Sequence, residues 1–146
     1  YDRVRFDPKG ETLAHGMRLL LENTGIKPEE IDYINLHGTG TREGDAYETR
    51  QVKLALGARA QQIPMSATKS MTGHMLGASG AVEVIACLLA IKEQKLPPTI
   101  NLESPDPELD LDYVALKSRR SEVKTTVSLS MGFGGHVATL ALREAT

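Results

Sequence analysis

A lysine and a histidine lie close together in one short segment of small residues. The segment SATKSMTGHMLGASG, residues 66–80, places Lys69 and His74 among glycines, alanines and hydroxyl side chains. A second histidine, His37, follows the apolar segment IDYINL and precedes GTGT. A nearby ammonium group disfavours a positive charge on an imidazole, and a neutral imidazole can donate an N–H hydrogen bond to a developing oxyanion. These residue types therefore suit a site that stabilises negative charge during a reaction.

The residues alone leave two other interpretations of the histidines open. Histidine is a common metal ligand, but neither His37 nor His74 has the HExxH or Cys/His spacing of a zinc site, so we expect no metal. Both residues can also be structural loop histidines. For one motif taken alone, that plainer interpretation is favoured.

Hydrophobic periodicity predicts strands that alternate with helices. The predicted elements are a helix over residues 11–24 that ends at Gly25, a strand in IDYINL, a helix with Asp45 as N-cap and Glu48 as its capping-box partner, a strand in QIPMS, and a helix from Gly80 to Glu93. The last of these helices is apolar on both sides, and we expect it to be buried.

The C-terminal part predicts an antiparallel hairpin. Segments TTVSLSM and HVATLAL flank the glycine turn GFGG. The whole pattern indicates an α/β fold, with layers of helices around a mixed sheet. Loops 37–44 and 67–79 would then leave the carboxyl ends of parallel strands, where ligands usually bind, and MGFGG would approach the same crevice.

Composition limits the classes of function. The chain has 146 residues, 40% hydrophobic and 25% charged, with a net charge of −2. These values favour one domain over residues 1–146 and give no electrostatic reason to expect nucleic acid or an anionic membrane as a partner. The longest apolar run, AVEVIACLLAI, is shorter than the roughly 20 residues that span a bilayer. A polar N-terminus without a signal peptide and a single cysteine favour a cytoplasmic location.

Four segments carry a family resemblance. INLHGTGTREGDAYE, SATKSMTGHMLGASGAVE, LPPTINLESPDPELDLDYV and GFGG resemble, in order and spacing, the C-terminal half of β-ketoacyl-acyl carrier protein synthases, most closely the synthase II type. The resemblance covers nearly the whole chain. It implies a thiolase-like fold and a decarboxylative Claisen condensation in fatty-acid or polyketide synthesis, with substrates carried on the phosphopantetheine of acyl carrier protein and no other cofactor.

The resemblance also implies roles for individual residues. His37 and His74 match the two histidines that bind the malonyl thioester oxygen. Lys69 matches the lysine that organises the site, and Glu83 matches the glutamate paired with it. The pantetheine arm is expected to bind two threonines, Thr39 and Thr41.

The GFGG region departs from the family pattern. Met131 occupies the position of a gating residue whose backbone N–H helps form an oxyanion hole, and the family commonly has phenylalanine there. Phe133 lies within GFGG and is expected to support the site. Leu129 and Val137 stand where asparagines are common, which leaves a divergent or non-elongating member open.

The resemblance places the nucleophilic cysteine in an N-terminal half that this chain lacks. Cys87 lies inside a helical run and is expected to be a buried hydrophobe. We therefore expect a fragment of a larger synthase, without the first strand of its half ahead of Tyr1 and inactive alone. Its expected partners are the N-terminal half, acyl carrier protein and, in the complete enzyme, a second copy as a homodimer.

Two alternatives remain open. One is a non-catalytic partner subunit similar to a chain-length factor, although the two histidines and Lys69 favour an active synthase. The other, which is weaker, is a stand-alone thioester-binding module. The remaining features carry little function. His15 and His136 are expected to be structural and KSRRSEVK to be a solvated hairpin. GFGG does not match GxGxxG and precedes a strand, so we expect no dinucleotide binding.

Overall fold

The protein is a four-stranded mixed sheet with helices on both faces. The computed structural model describes residues 10–145. The polar N-terminal segment, on which the expectation of no signal peptide is based, lies almost entirely in residues 1–9, outside the described part. The helices are α1 Thr12–Thr24, α2 Arg42–Leu56, α3 Lys69–Thr72 and α4 Ser79–Glu93, with 3₁₀ turns at Pro28–Glu30, Gly57–Gln62, Leu76–Ala78 and Phe133–Gly135. The strands are β1 Tyr33–Asn35, β2 Met65–Ser66, β3 Lys95–Leu96, β4 Arg119–Arg120, β5 Thr125–Gly132 and β6 His136–Arg143.

The main sheet has the strand order β2-β1-β5-β6. Strand β1 is parallel to both neighbours, with Ile34 opposite Met65 on β2 and Val127 on β5. Strand β6 returns antiparallel to β5, and Gly132 pairs with His136 at the turn. The predicted mixed sheet and terminal hairpin are therefore confirmed. The carboxyl ends of β1 and β2 lie at the same edge, as the site requires.

The two faces of the sheet pack differently. Alternation along β1 puts Ile34 into the larger core cluster, which it shares with Leu13 of α1 and Val52 of α2. Tyr33 belongs instead to a smaller cluster with Cys87 of α4. Helices α1 and α2 therefore cover one face of the sheet, and α4 covers the other.

Helix α1 ends where the sequence predicts. Gly25 adopts the left-handed conformation, with φ 69°, and its N–H bonds to the carbonyl of Leu21. Glycine takes this conformation without the steric cost that a Cβ atom brings, so it stops the helix.

The predicted start of α2 is wrong. The N-cap is Thr41, and the N–H of Asp45 already bonds to the carbonyl of Thr41 as part of the first helical turn. Glu48 does not complete a capping box. Its carboxylate accepts N–H groups of the loop between β1 and α2, at His37 and Gly38. The capping-box prediction failed because Glu48 binds these backbone N–H groups, which lie seven and eight residues before Asp45 in the sequence.

The predicted burial of α4 is also wrong. Its buried residues are small or polar, namely Ser79, Glu83, Cys87 and Ala90. Three large apolar side chains of the same helix are about half exposed, with relative exposures of 54% for Ile85, 49% for Leu88 and 50% for Leu89. Helix α4 thus turns its small and polar stripe toward its own sheet and an apolar stripe outward.

The charged residues of the basic segment KSRRSEVK are exposed, as predicted, but Val123 is buried and the segment does not form its own hairpin. Arg119 and Arg120 form β4 and pair antiparallel with Leu96 and Lys95 of β3. Within residues 10–145, no helix has the length and apolar character needed to cross a membrane.

Candidate active site

Two loops at the carboxyl edge of the sheet carry the predicted charged and imidazole groups. His37 follows β1, and Lys69 opens α3 directly after β2. Both side chains are buried, with relative exposures of 6% and 7%. The crevice predicted from loops 37–44 and 67–79 is therefore present, and it forms because β1 and β2 are parallel neighbours.

The two loops approach each other too closely for a side chain at Gly38. A Cβ atom there would lie 2.4 Å from the Cβ atom of Ala67, and the backbone has φ 41°. A real Cβ atom does not tolerate such a distance, and the positive φ itself favours glycine. Gly38 is therefore required for the loops to meet.

The imidazoles of His37 and His74 lie edge to face. Their ring centroids are 5.5 Å apart and their planes are inclined by 87°. Because these residues come from different strand ends, the fold and not a local motif brings them together.

Lys69 organises the ring of His37. Its Nζ atom forms a buried ion pair with Glu83, lies 2.5 Å from the carbonyl oxygen of His37 and lies 3.3 Å from His37 Nδ1. An ammonium group can only donate, so Nδ1 accepts and the neutral ring carries its hydrogen on Nε2.

The pKa of His37 is lowered from 6.5 to about 4. Burial is the largest cause, followed by the charge of Lys69 and then by His74. The predicted effect of the lysine on this histidine is thus confirmed, although burial contributes more. His37 is a neutral hydrogen-bond donor at physiological pH.

Glu83 is the buried counter-charge of Lys69. Its relative exposure is 2%, and burial raises the pKa of its carboxyl while the ammonium of Lys69 opposes that rise. The pair matches the lysine and glutamate that the resemblance implies. Neither residue lines the cavity of about 840 Å³ that His37 and His74 face, which suits a role in positioning.

His74 is exposed and is held through one ring nitrogen. The backbone N–H of Leu76 donates to His74 Nδ1 at 3.1 Å, and the hydroxyl of Ser79 lies 3.1 Å from the same atom. A backbone N–H cannot accept, so the neutral ring of His74 also carries its hydrogen on Nε2. The two imidazoles have the same tautomer for different local reasons.

A cavity of about 840 Å³ opens in front of both rings. The lining residues are His37, Thr39, Thr41, Arg42, Glu43, Gly44, His74, Leu76, Met131, Gly132 and Phe133. The structure therefore places both histidines, both threonines and the MGFGG turn around one space, as the sequence predicts.

The polar and aromatic groups on the cavity wall differ in exposure. The hydroxyl oxygens of Thr39 and Thr41 lie 3.0 Å apart. Met131 is 7% exposed and contributes to the apolar core, whereas Phe133 is 71% exposed at the tip of the turn. Of the two side chains, only Phe133 is exposed on the cavity wall.

Sequence analysis missed the role of Glu48 at the site. One carboxylate oxygen accepts the N–H of His37 at 2.7 Å and the other accepts the N–H of Gly38 at 2.8 Å. The residue is 2% exposed, and burial raises its pKa to about 7. A signal was present, because Glu48 shares a helix face with the apolar residues Val52 and Leu56.

A second missed feature is a polar network under the site. The amide of Asn35 donates to the hydroxyls of Tyr33 and Thr68 at 3.2 and 3.1 Å, and the Tyr33 hydroxyl lies 2.6 Å from that of Ser66. Alternation along β1 could have placed Tyr33 and Asn35 on one face. The partners, Ser66 at the end of β2 and Thr68 in the loop after it, needed the three-dimensional structure.

The remaining candidates lie apart from the cavity. Cys87 is fully buried, and burial raises the pKa of its thiol to about 12, so the expectation of an unreactive core cysteine is confirmed. His15 is exposed on α1, and His136 is exposed at the start of β6. Among residues 10–145, no group of three or more His, Cys, Asp or Glu side chains could hold a metal ion.

Comparison with known proteins decides the family. The family profile described as "Beta-ketoacyl synthase, C-terminal domain" matches residues 1–103. The chain is 52% identical over 137 residues to "3-oxoacyl-[acyl-carrier-protein] synthase 2" of Synechocystis sp., a match that covers 94% of this chain and 33% of that protein. This chain belongs to the β-ketoacyl synthase family. The predicted family resemblance is confirmed.

Two further comparisons support the family assignment. The chain is 45% identical over 142 residues to "Putative polyketide beta-ketoacyl synthase 1" of Streptomyces cyaneus, covering 97% of this chain and 34% of that protein. It also superposes with a TM-score of 0.95 and 36% identity on a structure described as "AntDE:AntF (apo): type II PKS acyl-carrier protein in complex with its ketosynthase bound to the hexaketide", covering 100% of this chain and 36% of that one. The thiolase-like fold is thereby confirmed. The chain spans about a third of the length of the curated relatives it matches.

Proposed function

We propose that this synthase domain supplies the oxyanion-binding side of an active site that performs decarboxylative Claisen condensation. The observation that carries the proposal is the pair of imidazoles, 5.5 Å apart, each with its Nδ1 atom occupied by a donor from the protein. Both rings keep Nε2–H for a ligand. A thioester oxygen that accepts from both rings would lie about 2.9 Å from each Nε2 atom.

In the proposed reaction, a malonyl thioester loses carbon dioxide. The bond between its carboxylate carbon and its methylene carbon breaks, and the electron pair forms an enolate with negative charge on the thioester oxygen. His37 and His74 stabilise this charge through their Nε2–H groups. The enolate carbon then attacks an acyl thioester held on a cysteine outside this chain, a new carbon–carbon bond forms, and the cysteine thiolate leaves.

The surrounding residues position and enclose the substrate in this proposal. Thr39 and Thr41 hydrogen-bond the pantetheine arm from the cavity wall. Phe133 and Met131 line the same cavity, where the exposed Phe133 controls access and the MGFGG backbone completes the oxyanion site. The buried pair of Lys69 and Glu83 fixes His37 without touching the substrate.

We further propose that the nucleophile comes from an N-terminal half that packs on the exposed apolar stripe of α4. Ile85, Leu88 and Leu89 form this stripe, and large apolar patches on a protein surface mark interaction sites. The relatives are about three times as long as this chain. Residues 1–146 would then be one domain, inactive by itself, of a complete acyltransferase that works with acyl carrier protein.

The test uses the complete protein that contains this chain. Carbon dioxide release from malonyl-acyl carrier protein is measured for the wild type and for His37→Ala and His74→Ala. Each loss of an oxyanion donor is expected to lower the rate by about 10²–10³-fold. His15→Ala, on the exposed surface of α1, is the matched control. Full activity in both site variants would overturn the proposal.

The alternative function is a silent partner similar to a chain-length factor. The Lys69–Glu83 pair disfavours it, because burying two charges is costly and a silent subunit has less need of an oriented histidine. Condensation assays with the complete protein separate the two. If product forms only after an active ketosynthase is added, and the histidine variants support it equally well, the silent partner is the correct interpretation.

A further inference from the structure

We propose that the hydroxyl of Ser79 is a positioning group for His74 and holds the imidazole in the tautomer with its hydrogen on Nε2. The catalytic consequence of this inference rests on the proposed function of His74 as an oxyanion donor. The structural part does not, because it concerns the hydrogen bonds of the ring alone.

Ser79 lies at the point where the His74 loop turns into α4. It is the first residue of that helix and is 4% exposed. Its Oγ atom lies 2.9 Å from the backbone nitrogen of Met75 and 3.1 Å from His74 Nδ1. The hydroxyl therefore contacts both the backbone of the loop and the ring.

The direction of each hydrogen bond follows from what each group can donate. The N–H of Met75 can only donate, so Ser79 Oγ accepts from it. The N–H of Leu76 can likewise only donate, so His74 Nδ1 accepts at 3.1 Å. The hydroxyl hydrogen of Ser79 is then left to point at Nδ1. The single lone pair of Nδ1 is thus shared by two donors, one from the backbone and one from Ser79.

The other tautomer conflicts with both donors. A hydrogen on Nδ1 would face the N–H of Leu76, and the hydroxyl of Ser79 would lose its acceptor on the ring. Ser79 is 4% exposed, so a hydroxyl left without its acceptor there costs free energy. The arrangement therefore favours Nε2–H and aims it away from α4, toward the cavity.

His74 needs such an anchor more than His37 does. His37 is buried and is fixed by Lys69 and by the backbone contacts of Glu48, whereas His74 is exposed in this structure. Its loop begins at Gly73, which has φ 73° and open space around it. Ser79 ties this loop to α4 through Met75 and orients the ring by the same hydroxyl.

The test measures the His74 tautomer directly in the complete protein. Two-bond nitrogen–hydrogen correlation spectra of the ¹⁵N-labelled imidazole distinguish a protonated ring nitrogen from an accepting one. In the wild type we expect Nδ1 to accept and Nε2 to carry the hydrogen. Ser79→Ala removes one of the two donors and should raise the population of the minor tautomer by about 2- to 10-fold.

Two variants serve as controls. Ser79→Thr keeps the hydroxyl and should restore the wild-type spectrum. Ser70→Ala removes a serine whose hydroxyl accepts from the N–H of Ile100 and does not contact His74, so the tautomer should not change. A loss of packing or of helix capping alone would not reproduce this pattern.

Kinetics add a second readout. Ser79→Ala is expected to lower kcat for malonyl decarboxylation by about 2- to 10-fold without raising KM, and Ser79→Thr should recover kcat. An unchanged tautomer and an unchanged kcat in Ser79→Ala would overturn the inference. Ser79 would then only accept the N–H of Met75. A wild-type ring with its hydrogen on Nδ1 overturns the inference without any variant. If the protein shows no decarboxylation at all, the proposed function fails, while the spectra still decide the role of Ser79.

Discussion

The carboxylate of Glu48, a residue that is 2% exposed, accepts the backbone N–H of His37 at 2.7 Å. Its second oxygen holds the neighbouring N–H of Gly38. The contact fixes the peptide that carries the His37 ring, so a helix residue two turns away from the loop sets the position of the imidazole. Burial raises the pKa of Glu48 to about 7, and the two N–H bonds only partly offset that rise.

The raised pKa of Glu48 predicts a stability change with pH. The ordinary value is 4.5, so the folded state holds this proton more tightly than the unfolded state. The resulting stability is fully present below about pH 4.5 and is lost as pH rises to about 7. Glu48→Gln has no such proton. Between pH 5 and 8 the unfolding free energy of the wild type should fall relative to that of Glu48→Gln by about 2–3 kcal/mol. Urea unfolding of the complete protein measures the difference, and a difference that is flat with pH would contradict the prediction.

The Lys69–Glu83 pair predicts non-additive mutations. Lys69→Met leaves the buried carboxylate without its partner and should destabilise the protein by about 3–5 kcal/mol. Adding Glu83→Leu removes the unpaired charge, so the double variant should recover most of that stability. Denaturant unfolding of both single variants and the double variant gives the coupling energy. Effects that simply add would show that the pair is not coupled.

The regular elements could be predicted because their signals are local. The helical spacing of apolar residues in α1 ends at a glycine that stops the helix. The two strands of the β5–β6 hairpin are apolar-rich segments on either side of GFGG. The convergence of His37, Lys69 and His74 also followed, since parallel strands must end at one edge of the sheet.

The errors arose where a partner distant in sequence decides the outcome. Asp45 and Glu48 have the spacing of a capping box, but the free N–H groups of the preceding loop bind Glu48 instead. The apolar residues on both sides of α4 predict that both sides are buried. The sequence pattern does not show which side packs against the sheet of this chain. The role of Ser79 depends on a short 3₁₀ turn, Leu76–Ala78, that brings its hydroxyl back to the ring of His74.

The charge of Lys69 predicts a shift in the titration of His37. Its pKa of about 4 lies below the ordinary 6.5, so the folded state favours the neutral ring and stability from this group is lost as pH falls from about 6.5 to 4. Lys69→Met should raise the pKa of His37 without returning it to 6.5, because burial is the larger cause. Nuclear magnetic resonance titration of the ring in the complete protein measures this. Lys124→Met, which removes an exposed lysine elsewhere, should leave the His37 titration unchanged.

We predict that a side chain at position 38 causes a steric clash that a side chain at position 40 does not cause. Gly38→Ala places a Cβ atom 2.4 Å from Ala67, whereas Gly40→Ala meets nothing within 4 Å. Both positions have positive φ, so both variants carry backbone strain. The overlap should make Gly38→Ala about 1–3 kcal/mol less stable than Gly40→Ala. Thermal and urea unfolding of the two variants provide the comparison, and equal stabilities would mean that the loops can separate without cost.

The apolar stripe of α4 predicts a large effect from a residue that is half exposed here. Leu88 is 49% exposed, and truncating a leucine on a solvated surface usually changes stability by less than about 0.5 kcal/mol. If an N-terminal half packs on this stripe in the complete protein, Leu88→Ala should instead cost about 2–5 kcal/mol, as in a core. Leu19→Ala, at a residue on α1 that is 40% exposed, is the matched control and should show the small effect. Similar small losses for both variants in the complete protein would mean that α4 remains solvated and that no N-terminal half packs on this stripe.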